Sequence, residues 1–192
     1  MNSFENWFCA SSFWRCVTRK RLLPWLLSGT ELGDHILEIG AGPGAATEEL
    51  RNYAARVTSL EYSHEFAVGI ARRIRSTNGA VLRGDTSALP FPEKTFSSAI
   101  AVLVLHHLRT PQLQERAFSE VFRVLRPGGV FLAFEIQDSW LNRVIHIRST
   151  FVPVAAAAVP VQLAAAGFSG PDIVFRRGAF RVRAVRPARS NP

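Results

Sequence analysis

A chain of 192 residues that is 47% hydrophobic and 20% charged is long enough to bury one core, and its composition excludes disordered and collagen-like classes. Two cysteines, Cys9 and Cys16, exclude a disulfide framework; on one helix they would share a face, and core packing accounts for them better than a redox pair. The net charge of +8 is spread as +3 over residues 1–30, −2 over 31–138 and +7 over 139–192, so basic flanks surround a near-neutral centre and serve either solubility or attraction to an anionic substrate, membrane or nucleic acid.

Residues 3–27 place apolar side chains at helical spacing, from Phe4, Trp7 and Phe8 to Leu22, Leu23 and Leu26, and predict a helix there, an N-terminal helical cap over 1–30. Glu5 falls early and Arg19-Lys20-Arg21 follows the apolar residues instead of preceding them, unlike a signal peptide, so a cytoplasmic location is expected. From Asp34 onward, strands predicted at 35–40, 56–61, 80–84, 98–105 and 129–136 alternate with helices near 45–52, 63–76 and 111–125. Thr110-Pro111 supplies a capping hydroxyl and a first-turn proline, and Arg126-Pro127-Gly128-Gly129 ends that helix and turns into the next strand. Residues 149–171 carry no charge, but Pro153 and Pro160 interrupt them, so they read as a loop and a short helix, not a membrane span. Two runs, 172–176 and 179–185, flank Arg177-Gly178 as a hairpin, after a helix that ends at Gly167-Phe168. The pattern predicts an α/β fold: a Rossmann-like, doubly wound, mostly parallel seven-stranded sheet with a C-terminal antiparallel hairpin strand, in one domain over 31–192.

The most informative stretch is Ile36-Leu-Glu-Ile-Gly-Ala-Gly-Pro-Gly44. A buried strand runs into a bend whose glycines leave the backbone bare, and a following helix would offer N–H groups to a negative ligand. Glu61 ends the next strand, 21 residues after Gly40, where an acid can accept hydrogen bonds from both ribose hydroxyls of an adenosine. Asp85, after the third strand, is suited to an adenine amino group. The relaxed dinucleotide pattern G-x-G-x-x-G/A also fits Gly40 to Ala45. Glu38 inside the strand, Asp85, and the Leu-Pro-Phe-Pro segment at 89–92 decide against it.

With these pieces in order, the chain resembles the class I S-adenosylmethionine-dependent methyltransferases, and more narrowly the small-molecule branch that includes quinone-biosynthesis enzymes. The resemblance covers about residues 34–137. It rests on Leu37-Glu38-Ile39-Gly40-Ala41-Gly42-Pro43-Gly44, on Glu61, on Gly84-Asp85 through Pro92 followed by Phe96, and on Val104-Leu-His-His-Leu108 with Leu125-Arg-Pro-Gly-Gly129. Ser97 departs from the family, which often has Asp there, and puts local hydrogen bonding in doubt. The resemblance implies S-adenosylmethionine as cofactor, held by Glu38, Gly40, Ala41, Gly42, Gly44, Glu61, Tyr62, Asp85 and Thr86, and in-line methyl transfer. The acceptor is expected to be small, aromatic or apolar, and anionic. His106 or His107 is the expected general base, with Trp14, Glu135, Arg176 and Arg177 on the acceptor side. Leu89, Phe91 and Phe96 read as core packing. No Cys, His or Asp set has metal-site spacing, so no metal is expected.

Three other functions compete. A nucleic-acid methyltransferase suits the charge, but no Asp/Asn-Pro-Pro-Tyr/Phe segment follows the fourth strand and neither cysteine lies near the site. A membrane-peripheral methyltransferase would use the aromatic, basic N-terminal helix and a lipid-soluble acceptor. A cofactor-binding protein without catalysis is the last. Oligomeric state is not legible.

Overall fold

The computed structural model describes residues 2–75 and 77–188, apart from the side chain of Ser3. Seven strands form one sheet in the order β3-β2-β1-β4-β5-β7-β6: β1 His35–Ile39, β2 Arg56–Glu61, β3 Gly79–Arg83, β4 Phe96–Val102, β5 Leu125–Ile136, β6 Ser169–Arg176 and β7 Ala179–Val185. The first five strands pair in parallel, and β7 joins β5 antiparallel with β6 outside it, as the alternation and the hairpin predict. The strand order reverses between β1 and β4. A crevice beyond their carboxyl ends is where open α/β sheets bind ligands.

One face of the sheet buries Leu37, Ile39, Phe96, Phe131 and Phe180 against α6 (Pro111–Val124) and α8 (Val159–Ala165). The other buries Ile36, Val57, Ile100 and Leu132 against Leu23, Leu26 and Leu27 of α3 (Leu23–Leu27). Leu89 and Phe96 are buried and Phe91 packs on them, as expected. Glu120 and Arg123 of α6 hold this segment through Leu89 N–H and the carbonyls of Leu89 and Phe91. The uncharged stretch forms an irregular loop and α8, and among the described residues no helix is long and apolar enough to cross a membrane.

Several boundaries differ from expectation for identifiable reasons. The N-terminal helix is broken: α1 (Ser3–Ala10) ends at Ser11, whose backbone is extended and whose hydroxyl caps α2 (Ser12–Val17), and a π-helical stretch, Thr18–Leu22, leads to α3. A serine hydroxyl competes for backbone partners in this way and so favours caps over helix interiors. Cys9 and Cys16 therefore do not share a helix; Cys16 is exposed, not core, and burial pushes the Cys9 thiol up to about 11, with Glu5 adding to the rise. The helix expected at 45–52 shrinks to α4 (Thr47–Leu50), with no capping side chain at its start and tight turn bonds from Asn52 and Tyr53 at its end. The helix expected at 63–76 is α5 (His64–Arg73); Ser76 lies outside the described residues, as do residues 189–192 of the expected domain. The fourth strand stops at Val102, because Leu103 adopts φ 55° and turns the chain away. An unanticipated helix, α7 (Trp140–Ile145), is capped by the Ser139 hydroxyl.

Ser97 does not weaken its surroundings as feared. Its hydroxyl accepts His35 N–H at 2.9 Å and lies 2.7 Å from Leu32 O.

The apolar anchor of the N-terminal segment is Leu26, fully buried in the sheet core. Leu26→Ala should cost about 2–5 kcal/mol. Urea unfolding should show a lower midpoint with an unchanged slope.

Candidate active site

The carboxyl ends of β1, β2 and β4 open onto a cavity of about 1100 Å³. Its floor is the glycine bend. Gly40 (φ 66°) lies so close to β4's exit loop that an added Cβ would stand 2.1 Å from Val104 Cγ2, whereas a Cβ on Gly42 would meet nothing within 4 Å. Bare backbone at 42 therefore faces open space, and only glycine fits at 40. Gly44 serves packing instead: its missing Cβ leaves room for Arg73 and Ile70 of α5, and it does not line the cavity. Glu48 of α4 accepts from Arg73 at 2.9 Å and Arg15 at 3.0 Å, while Arg73 also donates to Pro43 O. The bend is thus clamped from both sides.

Glu61 is buried, and both its oxygens are fixed by main chain: Oε2 accepts Gly42 N–H and Oε1 accepts Ser63 N–H, each at 2.7 Å. Each oxygen keeps a second acceptor position. The other N–H groups of the bend are used too. Those of Gly40 and Ala41 go to Leu60 O, and that of Gly44 to Ala41 O. Only the bend itself is spent in this way; the helix whose start was expected to offer N–H groups is a single turn, Thr47–Leu50.

Glu38 lines the cavity, but its Oε2 takes Thr47 Oγ1 at 2.6 Å and Ser59 Oγ at 2.5 Å. Burial pushes its carboxyl up to about 7; the Ser59 and Thr47 hydroxyls oppose the rise and Glu61 adds to it. Asp85 and Thr86 line the cavity, though Asp85 Oδ1 also accepts Ser87 N–H at 2.7 Å and Ser87 Oγ at 2.8 Å. Ala41 and Tyr62 line it as well, Tyr62 largely exposed.

Of the residues expected on the acceptor side, Trp14 and Arg177 reach the cavity and Arg176 does not; its guanidinium lies 5.8 Å from the Trp25 ring centre. Glu135 is also absent from the lining. It is fully buried beneath the loop after β4, accepting the N–H groups of Val104 (3.0 Å) and Leu105 (2.8 Å) and touching His106 Nδ1 at 2.6 Å. Its role is to hold that loop. His106 and His107 line the cavity from a single 3₁₀ turn, Leu105–His107, and not from a strand end. Burial, with His106 second, pushes His107 down to about 4. A base works best with a pKa near the working pH, so His107 is a weak one. The fold adds His146, just after α7. No sequence signal pointed there, because 39 residues separate it from His107.

A family model for a methyltransferase domain matches residues 37–133. The chain belongs to the methyltransferase-domain family. The matched span carries the bend, Glu61, Asp85 and both adjacent histidines. It is similar to a demethylmenaquinone methyltransferase of Tropheryma whipplei, 30% identical over 67% of the chain and 50% of the relative. A sterol 24-C-methyltransferase of Gibberella zeae is 33% identical over 62% of the chain and 30% of the relative. The chain therefore spans half or less of the length of these relatives. The fold matches that of the N-methyltransferase NodS from Bradyrhizobium japonicum, solved with S-adenosylhomocysteine: TM-score 0.70, 20% identity, 97% of this chain and 89% of that one.

The raised Glu38 carboxyl gives a pH test. Unfolded, the group titrates near 4.5; folded, near 7. The folded state thus holds the extra proton between these values, and its contribution is present below pH 4.5 and lost as pH rises to 7. Wild-type stability should fall over that window relative to Glu38→Gln, by an amount on the order of 3 kcal/mol. Urea titrations of both proteins at pH 4.5 and 8 measure it.

Proposed function

We propose that this chain binds S-adenosylmethionine in the cavity over the glycine bend and transfers its methyl group to a small apolar acceptor. One observation carries the reading: the Glu61 carboxylate, pinned by the N–H groups of Gly42 and Ser63, lines the cavity with an acceptor position left on each oxygen. The ribose hydroxyls of an adenosine donate to such a carboxylate, whereas a pyrophosphate has only acceptor oxygens and like charge to set against it. The cofactor brings an activated methyl on a sulfonium. The protein's residues then have to bind, orient and exclude water.

In this reading Glu61 receives the ribose hydroxyls, Asp85 and Thr86 hold the adenine edge, and Gly40, Ala41 and Gly42 line the remainder. Glu38 holds Thr47 and Ser59 beneath the bend and reaches the cofactor only with its cavity-facing edge. The acceptor lies in the other half of the cavity, among Phe8, Trp14, Phe134, Leu141 and Ile145. The quinone and sterol relatives support an apolar acceptor. Arg177, at the same rim, supports a negative group on it. His106, backed by Glu135, faces the acceptor and assists release of its proton, and His107 lines the same wall.

A membrane surface as workplace has its own observation. Phe4, Trp7 and Phe13 on the N-terminal helices, and Trp140, Leu141 and Ile147 around α7, are exposed. The Asn2 side chain ties the two groups by donating to Ile145 O and Ile147 O. Exposed Arg19, Lys20 and Arg21 follow. An apolar, cationic rim of this kind suits an anionic bilayer that carries a lipid-soluble acceptor.

Losing one charge-assisted hydrogen bond costs about 1.5–3 kcal/mol. Glu61→Ala should therefore weaken S-adenosylhomocysteine binding by roughly ten- to more than a hundredfold by calorimetry. An unchanged dissociation constant removes Glu61 from the site. For the membrane reading, Trp7→Glu and Trp140→Glu should each cut partitioning onto anionic liposomes by about tenfold or more. Equal co-sedimentation of variants and wild type rejects it.

A further inference from the structure

Three imidazoles far apart in the sequence meet at the acceptor end of the cavity. One ring nitrogen from each of His106, His107 and His146 lies within 4.8 Å of those of the other two. His106 and His146 are buried and His107 nearly so. The Nδ1 atoms have partners of their own. His107 Nδ1 lies 2.9 Å from Thr150 O and His146 Nδ1 lies 2.6 Å from Asn142 O. A carbonyl oxygen only accepts, so each Nδ1 carries the proton. His106 Nδ1 faces Glu135 Oε2 at 2.6 Å, on a carboxylate whose Oε1 already accepts two N–H groups. The same tautomer follows there. In all three rings the lone pair is left on Nε2.

This is how metal-binding histidines are held: one nitrogen donates to a carboxylate or carbonyl, and the other is presented to the ion. Phe151 stacks on His146 with ring centres 4.4 Å apart and further fixes that ring. The charge balance also fits. Two buried carboxylates flank the three rings: Glu135 behind His106, and Glu5, whose Oε1 stands 3.5 Å from His146 Nε2.

We propose that His106, His107 and His146 bind one divalent first-row transition-metal cation, with Glu5 beside it as a carboxylate ligand and Glu135 as a positioning residue behind His106. Imidazole with one carboxylate suits zinc, iron or nickel. Nitrogens around a tetrahedral zinc, each about 2.0–2.1 Å from it, stand about 3.3–3.4 Å apart, so the cluster tightens by at most about 1.5 Å when it closes on the ion. All three rings line the cavity, so a coordination position left open points at the acceptor. The acceptor class that fits carries an oxygen, phenolic, enolic or carboxylate, able to enter that position. Assigning the open position to an acceptor rests on the methyltransferase reading above; binding of the cation does not.

The full chain, stripped with a chelator, is titrated with Zn²⁺ by calorimetry and with Co²⁺ by visible absorption. The expected result is one equivalent bound, with the ligand-field bands of a low-symmetry, four- or five-coordinate Co²⁺. His146→Ala should lose this phase while circular dichroism and a cooperative melt remain native. Glu135→Gln, which keeps an acceptor oxygen behind His106, should weaken binding by about 10–100-fold and serves if the alanine variant fails to fold. His64→Ala, at an exposed histidine on α5, should bind as wild type does. No stoichiometric binding by the native protein, or undiminished binding by both His146→Ala and Glu135→Gln, overturns the proposal. A parallel titration of the metal-free protein with S-adenosylhomocysteine reports the methyltransferase reading separately.

Discussion

The site depends on the Glu61 carboxylate being locked into the main chain. By accepting the N–H groups of Gly42 and Ser63, it joins the bend after β1 to the loop after β2 and sets the spacing of the cavity floor. Two part-buried charge-assisted bonds hold it, and each oxygen keeps a second acceptor position for solvent or ligand. The bond to Gly42 takes one N–H group of the bend, and the carboxylate beside it disfavours phosphate by like charge. One interaction thus fixes the shape of the floor and selects what it accepts.

Much of this was legible in the sequence because it is local. Strands, the glycine bend and the acid at Glu61 follow from short-range pattern, and the parallel sheet with its antiparallel hairpin follows from the alternation of elements. The strand between Ser98 and Leu105 was misjudged because its end is set by Leu103's positive φ and by Glu135, 30 residues away, which takes the N–H groups of the exit loop. The broken N-terminal helix was legible in principle, since Ser11-Ser12 interrupts the apolar run; Ser139 before Trp140-Leu141 likewise announced α7. Arg176 and Arg177 could not be told apart in the sequence, because a hairpin turn sends adjacent side chains to opposite sides. The histidine cluster lay beyond sequence reasoning, since spacing along the chain carries no record of His146 folding back over His106 and His107.

The cavity has two ends of different chemistry. Toward the bend it is main chain and carboxylate; toward α1 and α7 it is aromatic, with three imidazoles set in it. Phe4 and Leu141 belong both to this lining and to the exposed apolar surface. The acceptor end therefore opens among side chains that also face outward, which suits entry of an apolar molecule directly from a bilayer or carrier. The N-terminal segment lines the cavity as well as packing on the sheet, since α3 is buried in the core and α1 brings Phe4, Glu5 and Phe8 to the lining.

The most direct test of the central claim is a thermal-shift comparison of S-adenosylhomocysteine with NAD and NADP on the same protein. A ligand held only by the native state, at about 100 times its dissociation constant, raises the melting temperature of a domain this size by about 5–10 °C. The account predicts that rise for S-adenosylhomocysteine alone. A rise with a dinucleotide and none with S-adenosylhomocysteine would contradict it.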